Sequence, residues 1–127
     1  MIVLDASAAV LALLHDGDAR RLLATRTVAV PHLADPEVTH ALRAQVICGQ
    51  VGADDARFAL GRWGRLGVRR FGTIGLLPRI WELRENLTAY DATYVALAEA
   101  LACALVTADS RLARAPGPSC AITVVRG

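Results

Sequence analysis

Short, solid runs of apolar residues alternate along the chain with longer stretches in which apolar residues recur at helical spacing. The short runs contain many β-branched residues, and several of them end at a charge or a proline. Such runs are typical of strands that are buried on both faces. The predicted strands cover residues 2–5, 28–30, 68–71, 104–107 and 122–125.

The longer stretches predict helices, with Ser7 as the cap of the first. Pro36 fits the first turn of the third, where its missing N–H costs nothing. The stretch 89–102 carries Tyr94, Leu97 and Leu101 on one face and gives the strongest helical pattern. The predicted helices cover residues 7–14, 18–25, 36–48, 53–66, 77–86 and 89–102, with a single turn at 110–114.

Strands that alternate with helices predict an α/β fold, a central and mostly parallel β-sheet flanked by helices. We see no linker, repeat or low-complexity tract, and we expect one domain over residues 1–127. A chain of this length buries about two-thirds of the surface that its unfolded form exposes, which suffices for a stable core.

The composition then excludes several classes of protein and of chemistry. Hydrophobic residues make up 54% and charged residues 20%, which excludes a disordered chain. Three cysteines without a C-x-x-C spacing argue against a disulfide framework or a structural zinc site and suit a reducing cytoplasm. No apolar stretch reaches the length of a membrane span. All 14 basic residues are arginines, which excludes lysine-dependent chemistry such as a Schiff base or a Walker A loop.

Four single acids stand where an open α/β sheet binds its ligands, outside the carboxyl ends of strands. Asp5 ends the first strand, and Asp109 follows the strand at 104–107. Glu37 and Asp91 lie in the first turns of two helices. Taken singly, each acid also fits a cap or a favourable contact with a helix dipole. Taken together, they predict an acidic site at one edge of the sheet.

Four converging carboxylates need a counter-charge. One like-charge pair at 4 Å costs about 4 kcal/mol at an effective dielectric constant of 20. Mg²⁺, or Mn²⁺ as its substitute, would remove this cost because hard cations prefer carboxylate oxygens. A water on such an ion has a lowered pKa and can attack a phosphate ester. The absence of histidine beside the acids favours oxygen ligands over a zinc site.

The segments IVLDASAAV, PEVTHALR, YDATYVALAEAL and LVTADSRLARA resemble a PIN domain of the VapC type, the ribonuclease toxins of bacterial toxin–antitoxin pairs. The resemblance covers essentially the whole chain. It implies the PIN-like three-layer fold and a catalytic and metal-binding set of acids, with Asp5 and Asp91 as direct ligands. The other acids of that set are Glu37 and Asp109, and Ser7 and Thr107 match the family's supporting hydroxyl residues.

The same resemblance implies a Mg²⁺-dependent endoribonuclease, a small cognate antitoxin as partner, and homodimerisation. An antitoxin tail would lie in a groove among the first helices and bring an arginine toward the acids. Some members of the family carry a further acid shortly after the fourth. Here Ser110 and Arg111 follow Asp109, which leaves open whether one or two metal ions bind.

The segment 57–79 holds six arginines and no acid. It fits either a solvated helix face or a rim that grips RNA phosphates. The candidate RNA-binding residues within it are Arg62, Arg65, Arg69 and Arg70. Two other functions remain open. The chain could bind RNA or an antitoxin without cutting, or it could be a structure-specific DNA nuclease of the same fold.

Overall fold

The computed structural model describes residues 1–126, and Gly127, the last position of the predicted domain, lies outside them. Five strands form one sheet in the order β3-β2-β1-β4-β5, and every pairing between neighbours is parallel. The strands are β1 Ile2–Leu4, β2 Val28–Pro31, β3 Arg69–Phe71, β4 Ala104–Thr107 and β5 Ile122–Val124. The predicted parallel α/β fold is confirmed.

The helices follow the predicted order with small shifts at their ends. They are α1 Ala6–Leu14, α2 Asp18–Thr25, α3 Ala34–Ile47, α4 Ala53–Arg65, α5 Leu77–Glu82, α6 Ala89–Ala100 and α7 Ser110–Arg114, with a 3₁₀ turn at Ile74–Leu76. The main difference is α5, which was predicted to reach residue 86. It ends at Glu82, and tight turns then bring Leu83 and Leu87 against the core.

The strand order divides the helices between the two faces. From β1 the chain moves outward to β2 and β3, so right-handed crossovers place α1 to α4 on one face. The return from β3 to β4 runs in the opposite direction and places α5 and α6 on the other face, where α6 packs on β1, β2 and β4. The result is the three-layer arrangement expected of a PIN-like fold.

The core lies along the two central strands. Val3, Leu4, Leu105 and Val106 are at most 1% exposed, and seven consecutive residues of α6, from Ala92 to Ala98, are buried. Such burial follows from strands covered on both faces. Among residues 1–126, no helix is both long and apolar enough to cross a membrane.

Candidate active site

The carboxyl ends of β1 and β4 form the centre of the candidate site. These strands are neighbours, with Leu4 opposite Val106. The chain leaves β1 toward β2, whereas β4 lies on the other side of β1, so the order of the sheet reverses between them. Ligands of open α/β sheets bind at such a reversal. Asp5 directly follows β1 and Asp109 lies two residues beyond β4, as the sequence predicted.

Asp5 is a buried carboxylate, 6% exposed, that also caps α1. Its Oδ1 accepts from the Ala8 N–H at 3.0 Å and from the Ser7 hydroxyl at 2.6 Å. The cap is therefore Asp5 and not the predicted Ser7. The reason is geometric: Asp5 has extended backbone angles and lies three residues before Ala8, as an N-cap residue does.

Thr107 and Ser7 join Asp5 to the end of β4. The buried Thr107 hydroxyl donates to Asp5 Oδ2 at 2.5 Å and accepts from the Asp109 N–H at 3.0 Å. The Ser7 hydroxyl accepts from the Ala108 N–H at 3.0 Å. These bonds fix the loop that carries Asp109 relative to Asp5. The structure thus brings the two supporting residues predicted from sequence into contact with Asp5.

Asp109 caps the short helix α7 and contacts the arginine that follows it. Its Oδ1 accepts from the Arg111 backbone N–H at 2.9 Å and from Arg111 Nε at 3.2 Å. This pairing lowers the pKa of Asp109. The Arg111 side chain is 83% exposed, so it lies at the surface and does not fill the space between the acids. Exposed ion pairs of this kind contribute little to stability.

Asp91 lies in the first turn of α6, where Thr88 caps the helix by accepting from the Asp91 N–H at 3.1 Å. Burial raises the pKa of the Asp91 carboxyl, and the charges of Asp5, Asp109 and Glu37 raise it further. The mutual influence of these four acids places them in one electrostatic environment.

Glu37 lies in the first turn of α3, and its Oε1 accepts from the Tyr94 hydroxyl at 2.7 Å. Tyr94 is 1% exposed, and burial together with Glu37 raises the pKa of its phenol. The sequence analysis placed Tyr94 only on the packing face of its helix. One signal for a site role was available, because residues at i and i+3, here Asp91 and Tyr94, share a helix face.

The four predicted acids line a single cavity of about 700 Å³, together with Ser7 and Tyr94. Burial raises the pKa of Asp5 as well, against the opposing effect of its hydrogen bonds. Within residues 1–126, Asp5 and Asp91 take part in no salt bridge. No three acid, histidine or cysteine side chains of this range are close enough, as they stand, to share one metal ion.

The donor set nevertheless fits a hard divalent cation. It offers only carboxylate oxygens at the centre, with hydroxyl groups beside them, and neither Asp5 nor Asp91 forms a salt bridge within residues 1–126. Since Asp109 is turned toward Arg111, two protein ligands with water completing the shell agree better with these positions than four direct ligands.

None of the four predicted RNA-binding arginines lines this cavity. Arg70 is held by Asp35, with Nε to Oδ2 at 2.8 Å. Arg69 lines a depression with the first residue of β2, at the amino edge of the sheet, opposite the acids. Arg62 lies beside Phe58 of the same helix. The arginine beside the acids is Arg111, which the sequence analysis did not single out for a role.

Comparison with known proteins shows the family. The family model described as PIN domain matches residues 2–118. Ribonuclease VapC9 of Mycobacterium tuberculosis is 57% identical over 125 residues, covering 98% of each chain.

Solved structures share the fold. The crystal structure of PAE2754 from Pyrobaculum aerophilum matches with a TM-score of 0.73 and 27% identity, covering 97% of this chain and 83% of that one. The structure of VapBC2 from Rickettsia felis bound to a DNA fragment from their promoter gives a TM-score of 0.72 at 16% identity, covering 99% and 100%. At that identity it shows the fold alone. The family match and the VapC9 relative decide the assignment: the chain belongs to the PIN-domain family and, within it, to the VapC ribonucleases.

Proposed function

We propose that the chain is a divalent-metal-dependent endoribonuclease that acts as the toxin of a toxin–antitoxin pair and hydrolyses RNA phosphodiester bonds. The observation that carries the proposal is one cavity lined by Asp5, Glu37, Asp91 and Asp109, in which Asp5 and Asp91 form no salt bridge with any of residues 1–126. The ribonuclease names of the relatives support the choice of RNA as substrate.

Asp5 and Asp91 are the residues proposed to hold the ion directly, with Glu37 and Asp109 completing the site directly or through water. When bound, Mg²⁺ or Mn²⁺ would lower the pKa of a coordinated water and offset the negative charge of the phosphoryl oxygens. A cation here also removes the repulsion that raises the pKa of Asp91.

The chain's own groups prepare this site. Ser7 and Thr107 hold Asp5 in one orientation, so both of its oxygens are fixed before any ligand arrives. Tyr94 holds Glu37 at the rim of the same cavity. One of the four carboxylates accepts the proton of the attacking water. Arg111 lies beside Asp109, where its guanidinium is placed to meet a phosphate of the substrate.

Cleavage of a structured RNA by the purified protein tests the proposal, with Mg²⁺, with Mn²⁺ and with EDTA. We expect cutting that EDTA stops, and a loss of about 100-fold or more in Asp91→Asn. Asp54→Asn is the matched control, since Asp54 is an exposed acid of α4 outside the cavity. An Asp91→Asn protein that cuts as fast as the wild type would refute the assignment.

The same assay separates the two other functions. A duplex or flap DNA included beside the RNA tests for a DNA nuclease, which would cut the DNA instead. A silent binding module would retain RNA in a filter assay but cut neither substrate. We expect cleavage and not silent binding because all four carboxylates line the cavity. We expect RNA and not DNA as the substrate because the relatives are named ribonucleases.

The proposed partner is a small antitoxin. A groove of about 400 Å³ between α1 and α3 is lined by Val10, Leu11 and Leu14, and it shares Ser7 with the acid cavity. An apolar segment seated there could carry an arginine to the acids. Co-expression with a small protein from a gene adjacent to that of this chain tests this. Leu11→Glu should abolish co-purification, whereas Arg57→Glu on α4 should not.

Two predictions about surfaces stay open to direct test. If Arg62 and Arg65 bind phosphates, replacing both by Gln weakens RNA binding and makes it less dependent on salt.

If the chain forms a homodimer, the exposed apolar side chains of Ile74, Leu77 and Trp81 are suitable contacts, at 82%, 51% and 67% exposure. Light scattering on Trp81→Glu would then report a monomer.

A further inference from the structure

Two cysteines, Cys103 and Cys120, line one cavity at the amino edge of the sheet, the edge opposite the acids. Cys103 directly precedes β4, and Cys120 precedes β5 by two residues. These strands are parallel neighbours in the register Leu105 opposite Ile122. If this register is extended two residues back, beyond the first residue of each strand, it places Cys103 opposite Cys120.

Backbone contacts support this extension of the register. The Leu105 N–H donates to the Ala121 carbonyl oxygen at 2.9 Å, so the pairing of the two segments continues to the residue next to Cys120. Neighbouring parallel strands lie about 4.8 Å apart, within the range of Cα separations, about 4.4–6.8 Å, that a disulfide spans. The spacing of the two segments therefore fits a disulfide between Cys103 and Cys120.

The segment before β5 is also held in place by an ion pair. Glu99, at the end of α6, accepts from the Ser119 N–H at 2.6 Å and from Arg79 Nε at 2.7 Å. Arg79 in turn donates to the Gly117 carbonyl oxygen at 2.9 Å. The backbone immediately before Cys120 is therefore fixed at two points, at Gly117 by Arg79 and at Ser119 by Glu99.

Cys103 is fixed as well, because its N–H donates to the Ala98 carbonyl oxygen at 3.0 Å at the end of α6. Both cysteines are free thiols, both are half-buried, and both line one cavity of about 480 Å³. Burial raises the pKa of each thiol, which lowers its thiolate fraction and slows its oxidation without preventing it. The third cysteine, Cys48, is exposed at the end of α3 and serves as an internal reference.

We propose that Cys103 and Cys120 form a reversible intramolecular disulfide when the chain meets a low-molecular-weight disulfide such as oxidised glutathione. The thiolate of one cysteine attacks a sulfur of the oxidant, which forms a mixed disulfide and releases one small thiol. The second cysteine attacks the protein sulfur of that mixed disulfide and releases the second small thiol. The two protein sulfurs are oxidised and one small disulfide is reduced to two thiols.

The cross-link would close the segment from β4 through α7 to β5, which carries Thr107, Asp109 and Arg111. It would therefore tie the strand that supports the acid cavity to the edge strand of the sheet. Because a cross-link reduces the freedom of the unfolded chain, the oxidised protein should melt several degrees higher than the reduced protein.

The test uses the full folded chain, reduced and then incubated with oxidised glutathione. Peptide mapping without reductant should find one linked pair, Cys103 with Cys120, and in the Cys48→Ser protein the intact mass should fall by about 2 Da, the two hydrogens lost on oxidation. Cys48→Ser should keep the linked pair and the rise in melting temperature. Cys103→Ser and Cys120→Ser should each lose both and retain one glutathione on the remaining partner.

Three results would overturn the proposal. The first is a stable glutathione adduct on both Cys103 and Cys120 of the same molecule. The second is a linkage that includes Cys48 or joins two chains. The third is an unchanged reduced pair in folded protein whose Cys48 has fully reacted.

Discussion

Asp35 and Glu37 lie two residues apart in the first turn of α3, but the surroundings of the two carboxylates differ in kind. Asp35 accepts from Trp63 Nε1 at 2.8 Å and from two nitrogens of Arg70, whose guanidinium also lies over the Trp63 ring. The hydrogen bonds from Arg70 lower the pKa of Asp35. This cluster is complete within the chain, and it fastens β3 and α4 to α3.

The acid cavity is built in the opposite way. Burial raises the pKa of Asp5 and of Asp91, and neither carboxylate forms a salt bridge with an arginine in the part of the chain that the structure describes. Hydroxyl groups and a backbone N–H group orient Asp5 without neutralising it. The contrast teaches that charge satisfied internally supports the fold, whereas charge left unneutralised at a strand end indicates a ligand of opposite sign.

The largest expected effect is the response of the cavity to that ligand. A divalent ion that binds only the folded state adds about 2.7 kcal/mol to the free energy of unfolding at 100 times its dissociation constant. We therefore expect Mg²⁺ or Mn²⁺ to raise the melting temperature of the wild type and of Asp35→Asn. The shift should be lost in Asp91→Asn. Equal shifts in all three proteins would mean that the ion does not bind the acids.

The next effect concerns the hydrogen bond between Tyr94 and Glu37. A hydrogen bond to a charged group contributes about 1.5–3 kcal/mol. If only part of this free energy stabilises the transition state, Tyr94→Phe should lower the cleavage rate by about tenfold. A double-mutant cycle with Glu37→Gln gives the control. If Tyr94 acts by positioning Glu37, the double variant should be no slower than Glu37→Gln alone, and additive losses would contradict this role.

A smaller effect is expected from the satisfied cluster. Asp35→Asn removes the charge that Arg70 contacts, at a site where the Asp35 side chain is 41% exposed. Partial exposure reduces the cost, so we expect a loss of about 1 kcal/mol in the free energy of unfolding. Urea denaturation measures this loss. RNA cleavage per folded molecule should be unchanged, and a fall in that rate would extend the active site to Asp35.

Most of the fold could be predicted from the sequence because the strands are solid apolar runs and the helices repeat apolar residues at helical spacing. The ends of the helices were harder to predict. The cap of α1 moved from Ser7 to Asp5, because the choice depends on the local backbone angles, which the pattern of residue types does not fix. The end of α5 depends on how Leu83 packs, and that is a tertiary contact.

The site followed a similar rule. The four acids could be predicted because each stands at the end of a strand or the start of a helix, where the topology brings residues together. The pairings of long side chains could not be predicted. Arg70, one of the candidate RNA-binding arginines, contacts Asp35, and Tyr94, expected to pack, also binds Glu37. Such contacts join residues 35 and 57 positions apart, which no short-range spacing encodes.

The smallest effect is a difference in pH dependence between the two regions, measured in metal-free protein. The raised pKa of Asp91 means that the folded state holds this proton more tightly than the unfolded state, whose value is 3.8. Its ionisation therefore reduces stability as pH rises above 3.8, so Asp91→Asn should become more stable than the wild type across that window. For Asp35 the pKa is lowered, so its contribution is present above 3.8 and is lost as pH falls through the folded value. The deficit of Asp35→Asn should accordingly vanish in acid. Urea titrations of both variants with EDTA, from neutral pH to below 3.8, measure the two differences, and parallel curves would remove the distinction between the regions.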